Sequence, residues 1–400
     1  MDTAELKTLL TNAHATTPSG KIVRVLSQRG ALSGARIAGI TGLAKSTVST
    51  TLAELRKSGI IVDDAASKSE APTGVGRPGN TVTLNPLAGT CVGVLLGVQH
   101  IQVVIADVSH AVLAEKLFYI DPDYSPARAA EVIKALIAEA CDELGISQRT
   151  ILGVGMALAA PVNPLDGRIL RAGGIPTWTG VDIRAEFEPV LGARVFADNE
   201  SNCSAIAEMM WGAAIGHEDF VFVTLDIGVG GAIVHRGHLV TGIAGAAGEF
   251  GHMSINPDGA LCRCGNRGCL ELYASFRQAL VFAEQRFGRP MTTEDVIGLA
   301  FDGDEGCKRL LLDCAEAAGR GLGIVGSVLN PGLFVIGGAL ARAGDLFLTP
   351  LEASYNKHTL VKRTDVGNAS QTKFVTSKFA DNGACLGAVG VVLQHHARLA

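Results

Sequence analysis

Four residues of the types that bind zinc lie within eighteen positions of one another, in the run GHMSINPDGALCRCGNRGCLE: His252, Cys262, Cys264 and Cys269. Three thiolates and one imidazole suit a closed tetrahedral Zn²⁺ site, and four protein ligands leave no position for a reacting water. Glycines between the cysteines let the backbone curl until the sulfurs meet. The cysteines could instead be unconnected small hydrophobic residues, but their crowding favours a structural zinc ion that clamps a loop.

A second set of polar side chains has the composition of a nucleic-acid contact. It belongs to a predicted helix from about Lys45 to Ser58, on which Val48, Leu52 and Leu55 are spaced for a core. The other face carries Lys45, Ser46, Thr47, Ser49, Thr50 and Arg56. Small hydroxyls and a lysine at a helix start suit phosphates and base edges in the major groove of DNA.

A long polar loop follows this helix and is predicted to form a wing. Strand-like runs at 60–62 and 81–84 flank it, and its tip, Gly74–Gly79, holds Arg77 among small and rigid residues. An arginine held in this way can enter a minor groove. The alternative is a small helical packing domain with a solvated hairpin, but the basic charge of the region favours DNA binding.

The elements around the reading helix resemble a winged helix-turn-helix over residues 1–86. A helix at 19–28 ends at Gly30, Ser33 caps a shorter helix, and Thr41–Leu43 makes the turn. Residues 1–86 carry ten Lys/Arg and six Asp/Glu, a net charge of +4, whereas the remaining 314 carry 24 and 33, a net charge of −9. A basic head on an acidic body is typical of a nucleic-acid-binding module fused to another domain.

Length and composition predict a cytoplasmic protein of two or three folding units. The 400 residues are 48% hydrophobic and 18% charged, enough for large buried cores. The amino terminus lacks the apolar run of a signal peptide, and no stretch of about eighteen apolar residues predicts a membrane span. Nine cysteines, an odd number and mostly scattered, indicate a reduced chain rather than a disulfide scaffold.

Beyond Pro86 the chain alternates between strands and helices. Cys91–Ala106 reads as two apolar strands and Pro126–Leu144 as a helix, and strand-like runs recur at Ile151–Leu158 and Phe220–Ile227. This alternation favours an α/β architecture for the body.

The body resembles the ROK family of sugar kinases and related repressors over about residues 88 to 400. The zinc cluster follows GIAGAAGEFGH, so that Gly-Glu-x-Gly-His leads into CxCGxxGCxE, as in that family. Further matches are DGRILRAGGIPTWTG, ADNESN, LDIGVGGAIV, FVIGGALARAG and ADNGACLGAVG. The resemblance implies an actin-like sugar kinase fold of two α/β lobes for residues 87–400. The small lobe would be about 87–198 with a C-terminal helix at 384–400, and the large lobe about 199–383 with the zinc loop.

The same resemblance implies a binding site for a sugar-type effector. In the family, the Glu of Gly-Glu-x-Gly-His and the Glu that ends CxCGxxGCxE contact sugar hydroxyls, and here these are Glu249 and Glu271. His252 would bind zinc through one ring nitrogen and donate to a sugar hydroxyl through the other. The resemblance also places Asn199 in this site, with Glu200 beside it at the position of the kinase base. Without the resemblance, these residues would be interpreted as surface carboxylates and a solvated loop.

Three departures from the kinase pattern predict that catalysis is lost. The first phosphate loop, Asp-x-Gly-Gly-Thr in kinases, is here Leu95–Gln99, so a leucine replaces the carboxylate and Val98 puts a side chain where backbone must approach phosphate. The second loop, Gly-Thr-Gly-x-Gly in kinases, begins here with Asp226, a negative charge. Glu200 replaces an aspartate base, and its extra methylene moves the carboxylate by about an ångström. Phosphoryl transfer depends on positioning and charge neutralisation, so the three changes together are severe.

These features predict a sugar-responsive repressor that is a homodimer or a dimer of dimers. A two-fold dimer would place two recognition helices about 34 Å apart on a pseudo-palindromic operator. Gly173-Gly174 stand where kinases commonly bind a sugar hydroxyl through an asparagine, so the sequence leaves a sugar, an amino sugar and a sugar phosphate open as effectors. An ATP-dependent sugar kinase with a fused DNA-binding head is the alternative from the enzyme class. A sugar-independent regulator, in which zinc and the old pocket only hold the fold, is a third hypothesis.

Overall fold

The structure, a computed structural model, describes residues 3–10, 14, 16–64, 81–171, 176–362, 365, 367, 371–379 and 382–398. Arg77, with the rest of the wing tip, and Gly173-Gly174 lie outside the described residues. The chain divides into two compact units, Met1–Cys203 with Cys385–Ala400 and Ser204–Ala384. Both the head and the first lobe fall in the first unit, and the boundary near residue 86 stays a prediction. Within the described ranges, no helix is long and apolar enough to cross a membrane.

The described residues of the head form four helices and a small antiparallel sheet: α1 (Thr3–Leu10), α2 (Pro18–Arg29), β1 (Leu32–Ser33), α3 (Gly34–Thr41), α4 (Lys45–Lys57), β2 (Ile61–Asp63) and β3 (Thr81–Leu84). Ser33 caps α3 by accepting a hydrogen bond from the backbone N–H of Arg36, as predicted. Gly42 then turns the chain toward α4 with a left-handed φ of 68°. The strands pair in the order β1-β3-β2. This pattern is compatible with a winged helix-turn-helix; the sequence did not predict α1.

Most of the other described residues of the first unit belong to a region built on a five-stranded mixed sheet with flanking helices. Its elements are β4 (Thr90–Leu96), β5 (His100–Asp107), β6 (Val112–Tyr119), α5 (Pro126–Leu144), β7 (Ile151–Leu158), α6 (Ile183–Leu191) and β8 (Val195–Asn199), followed by α7 (Glu200–Trp211). The strands lie in the order β6-β5-β4-β7-β8. The first two neighbouring pairs are antiparallel and the last two are parallel. Helix α5 has the predicted bounds because Ser125 caps its start and left-handed Gly145 ends it.

The second unit repeats the same sheet topology. Its elements are β9 (Phe220–Leu225), β10 (Val229–His235), β11 (His238–Val240), α8 (Glu271–Ala274), α9 (Arg277–Phe287), α10 (Thr293–Phe301), α11 (Glu305–Leu329), β12 (Leu333–Gly337), α12 (Asp345–His358) and β13 (Lys373–Thr376). The order is β11-β10-β9-β12-β13, again with two antiparallel pairs followed by two parallel ones. The strand predicted to reach Ile227 ends at Leu225 because the Asp226 N–H bonds to the Gly228 carbonyl in a turn.

The last helix, α13 (Gly383–Arg398), packs directly on the sheet of the first unit. The Cys385 thiol donates to the Gly93 carbonyl of β4 at 3.2 Å. A side chain at Gly93 or at Gly155 of β7 would overlap backbone carbonyls of α13. The two glycines therefore allow the helix backbone to lie against the strands.

Candidate metal centre and effector site

The four predicted metal ligands lie together in the second unit. One ligand atom from each of His252, Cys262, Cys264 and Cys269 falls within 4.8 Å of all the others. The Cys262 sulfur is 3.7 Å from His252 Nδ1, and the sulfurs of Cys264 and Cys269 are 3.6 Å apart. Zn–S bonds near 2.3 Å give a tetrahedron with edges of about 3.7 Å. The side chains present therefore fit a tetrahedral metal ion.

Backbone hydrogen bonds shape the loop that carries the thiols. The Cys262 N–H donates to the Asn266 carbonyl at 2.7 Å, and Gly265 turns the chain with a φ of 97°. A side chain at Gly268 would overlap the Asn256 carbonyl. Burial and the neighbouring thiols raise the pKa of Cys269 to about 12. The Cys269 thiol therefore keeps its proton at neutral pH unless a bound cation displaces it.

His252 joins this cluster to a carboxylate. Its Nδ1 faces Cys262, and its Nε2 lies 4.0 Å from an oxygen of Glu249. Glu249 precedes a single 3₁₀ turn, Phe250–His252, of which His252 is the last residue, and this turn fixes their spacing. One nitrogen of the imidazole thus faces the ligand cluster and the other faces the predicted effector residue. The imidazole therefore lies between the ligand cluster and Glu249.

The two predicted sugar-binding glutamates of this unit differ in their surroundings. Burial raises the pKa of Glu249 above its usual value. Glu271 begins α8 with its side chain only 7% exposed, and it accepts two hydrogen bonds from Arg263 at 3.0 and 3.1 Å and one from the Val229 N–H at 3.3 Å. Sequence reasoning missed Arg263. Its position between Cys262 and Cys264 was the available signal, because the cysteines carry that side chain to the site.

Asn199 and Glu200 belong to the first unit, at the end of β8 and the start of α7. The Asn199 side-chain oxygen accepts the Ser201 N–H at 2.8 Å, so it caps the following helix. Glu200 lies in the first turn of α7 and is half-buried. Their part in an effector site stays a prediction.

The stretch predicted to correspond to the first phosphate loop is a closed hairpin turn. Strands β4 and β5 pair as far as Leu96 and Ile101, and the Gly97 N–H donates to the His100 carbonyl at 3.0 Å. The His100 ring covers Gly97, where any added Cβ would meet it. The Tyr124 hydroxyl donates to the Gly97 carbonyl at 2.7 Å. The backbone N–H and carbonyl of Gly97 are therefore both hydrogen-bonded within the protein.

Asp226 occupies the second loop with its carboxylate turned toward backbone donors. One oxygen accepts the Ile227 N–H at 2.7 Å, and the other accepts the Ala339 N–H at 3.3 Å, from the loop after β12. Burial raises the pKa of Asp226. The carboxylate thus holds two backbone N–H groups that would otherwise be open to an anion.

The predicted DNA-contacting residues of α4 are largely on its surface. Lys45, Ser46, Ser49 and Thr50 are exposed, and Thr47 is half-buried. Arg56 donates to Asp63 at 3.1 and 2.8 Å, so its guanidinium already has a partner on β2. A lysine and three hydroxyls are thus presented near the helix start. Their contacts with DNA, like those of Arg56 and Arg77, stay predictions.

Comparisons with known proteins extend over nearly the whole chain. A family model described as ROK family matches residues 91–395. The xylose repressor of Bacillus subtilis is 25% identical, and the alignment covers 94% of both chains. A glucokinase of Streptomyces coelicolor is 32% identical over 57% of this chain and 76% of its own. A solved ROK family transcriptional regulator, described as a homologue of the Escherichia coli MLC protein, has a TM-score of 0.75, 23% identity and 96% coverage of both chains.

Proposed function

This chain belongs to the ROK family, and from that premise we propose that it is a sugar-responsive, DNA-binding transcriptional repressor without kinase activity. The observation that carries the proposal is the extent of the similarity. The repressor relative aligns over 94% of the chain, head included, whereas the glucokinase relative aligns over 57%. A DNA-binding function of the head explains why the alignment with the repressor includes the head and the alignment with the glucokinase is shorter.

The head supplies the DNA contact in this proposal. It acts as a winged helix-turn-helix whose helix α4 enters the major groove with Lys45 and the exposed hydroxyls near its start. Two heads in a homodimer, or in a dimer of dimers, bind a pseudo-palindromic operator, because a two-fold axis in the protein requires one in the DNA. A selection from random duplexes would test this: we expect inverted half-sites about one helical turn apart to be enriched.

The body supplies the effector response. We infer that the Cys₃His cluster holds a structural Zn²⁺, because four donors at tetrahedral spacing leave no place for a substrate. The ion holds the loop that carries Arg263 and sets the His252 ring beside Glu249. Glu249 and Glu271 offer oxygen acceptors for sugar hydroxyls, and the family resemblance assigns Asn199 and Glu200 of the other unit to effector binding as well. Effector binding shifts the conformation of the protein, and with it the fit to the operator.

Glu249→Gln is expected to weaken the effector response by about ten- to a hundredfold. The amide keeps the shape of the side chain but removes the charge, and a hydrogen bond to a charged acceptor contributes about 1.5–3 kcal/mol. The measurement is a thermal-shift titration with D-xylose, D-glucose and N-acetyl-D-glucosamine, in which a bound sugar raises the melting temperature by mass action. Glu305→Gln removes the same charge from an exposed side chain and should respond as the unaltered protein does. An unchanged response in Glu249→Gln would remove Glu249 from the site.

We infer the loss of kinase catalysis because the polar groups at the two phosphate-loop positions already form hydrogen bonds within the protein. Asp226 supplies its own anion to the Ile227 and Ala339 N–H groups, and a phosphate placed there would meet both occupied donors and a like charge. The turn after Leu95 is closed by His100, and a leucine provides no ligand for Mg²⁺. Positioning of ATP and its metal is most of phosphoryl-transfer catalysis, so restoring a base cannot revive it.

Neither the unaltered protein nor Glu200→Asp is expected to form ADP with any sugar of the panel. Glu200→Asp restores the aspartate of the kinase pattern while leaving Asp226 and the closed turn in place. The measurement is a coupled ADP assay with Mg-ATP, with and without each sugar, and with an active sugar kinase as the positive control. Sugar-dependent ADP formation by either protein would put the kinase hypothesis, which the 32% identity to a glucokinase favours, ahead of the one proposed here.

A further inference from the structure

One side chain far from the effector residues in sequence joins the head to the body. His110 lies in the turn between β5 and β6, in the same compact unit as the head. Its ring donates a hydrogen bond to the backbone carbonyl of Ser27 in α2. A Cβ placed on Gly30, the cap of α2, would lie 3.9 Å from His110 Nδ1, and Nε2 is fully buried. A histidine of a body hairpin is thus inserted against the end of a head helix.

The turn holds His110 in a conformation that costs energy. Its φ is 80°, in the left-handed region that costs a residue with a Cβ roughly 1–2 kcal/mol. Asp107 stabilises the turn: one carboxylate oxygen accepts the Ser109 N–H at 2.8 Å, the Ser109 hydroxyl at 2.7 Å and the Ala111 N–H at 3.1 Å. Glycine or asparagine would relax this backbone at position 110. The strain therefore indicates a role for the imidazole itself.

The imidazole adds a second attachment to a short, ordered linker. After β3, the Asn85 side chain donates to the Gly59 carbonyl at 2.7 Å and accepts the Leu87 N–H at 3.0 Å. This linker is the covalent connection between the head and the first sheet. Contact of His110 with α2 adds a non-covalent one, and α2 packs directly against α4. The orientation of α4 on the first sheet therefore depends on both attachments.

We propose that His110 is the positioning residue that holds the DNA-reading helix at a fixed orientation on the body. The inference rests on the proposed function, because it assigns a purpose to that orientation. Two heads of a dimer must match the spacing of two half-sites, so heads held at a fixed angle select one spacing. Burial lowers the pKa of His110 to about 3, so the ring is neutral under the conditions of DNA binding and acts by packing and hydrogen bonding.

His110→Gly tests the proposal without endangering the fold, because it removes the ring and releases the strain of the turn. We expect this variant to bind the selected operator about tenfold more weakly. We also expect its affinity for that operator to exceed its affinity for operators whose half-site spacing is changed by one or two base pairs by less than about threefold. Affinity for a single half-site should not change. His110→Asn, which tolerates the turn but lacks the imidazole, should behave like His110→Gly. Lys134→Ala, an exposed change on α5 that leaves the turn intact, should behave like the unaltered protein. A retained spacing preference in His110→Gly would overturn the proposal.

Hydrogen exchange separates this inference from the proposed function. Amides of residues 24–30, at the end of α2, should exchange faster in His110→Gly than in the unaltered protein without any DNA present. If the unaltered protein binds no DNA, the proposed function fails while this measurement still reports on docking. Unchanged exchange at 24–30 would show that His110 does not hold the head.

Discussion

We expect Cys264→Ser to abolish metal binding at the proposed zinc site, to lower the melting temperature by roughly 10 °C and to abolish the sugar response. A serine hydroxyl does not replace a thiolate as a zinc ligand, and three remaining donors cannot close the tetrahedron. A metal present at a thousand times its dissociation constant stabilises the fold by about 4 kcal/mol, which for a unit of this size corresponds to about 8–16 °C. The response is lost as well because His252 no longer has an anchor beside Glu249. Metal content by mass spectrometry, thermal unfolding and a sugar titration measure the three effects.

Cys307→Ser is the matched control for that experiment. Cys307 is buried in α11 of the same unit and interacts with Asp304 at the helix start, where a hydroxyl can replace the thiol. This variant should keep its metal and its sugar response. A metal-free Cys264→Ser protein that still responds normally to sugar would show that the cluster does not support the effector site.

We expect Ser49→Glu to reduce operator binding by a hundredfold or more, if α4 reads DNA as proposed. Ser49 is exposed on α4, next to the core residue Val48, so the change leaves the fold intact and places a carboxylate on the face predicted to enter the groove. A poorly matched contact costs about 1–3 kcal/mol, and a dimer places one such carboxylate at each half-site. The repulsion from phosphates is long-ranged and should shrink as salt is raised. Fluorescence anisotropy with the selected operator at several salt concentrations measures both the loss and its salt dependence.

The added charge needs its own control, because a net charge change alone alters DNA affinity. Gln278→Glu adds the same negative charge on the exposed surface of α9 in the other unit. It should bind the operator within about twofold of the unaltered protein. Ser49→Glu binding as tightly as Gln278→Glu would mean that α4 is not the reading helix.

Local patterns predicted the parts of the structure that depend on neighbouring residues. The helix Pro126–Leu144 and the strand Ile151–Leu158 have the predicted bounds, since caps and apolar runs mark their ends. The metal cluster could also be predicted from the sequence, because its ligands lie in one short stretch and glycines allow the backbone to curl. In each case the interactions that define the element are close in sequence.

Contacts between distant segments could not be read in this way. The effect of Asp226 was predicted from its charge alone, but its partner Ala339 lies 113 positions further along the chain, so the hydrogen bond between them is visible only in the folded state. The contact of His110 with Ser27 is of the same kind. No composition or periodicity marks such pairs, because the two elements meet only after the sheet and the head have formed.

The placement of α13 on the first sheet has a consequence for biosynthesis. The ribosome completes Thr90–Leu158, including β4 and β7, long before it reaches Cys385, so the face of the sheet around Gly93 and Gly155 is bare while the whole second unit emerges. A chain stopped short of Gly383 would expose that apolar surface permanently, and quality-control proteases and chaperones recognise such surfaces. The head is therefore synthesised before the first sheet is covered, so the first unit is complete only after α13 has been translated.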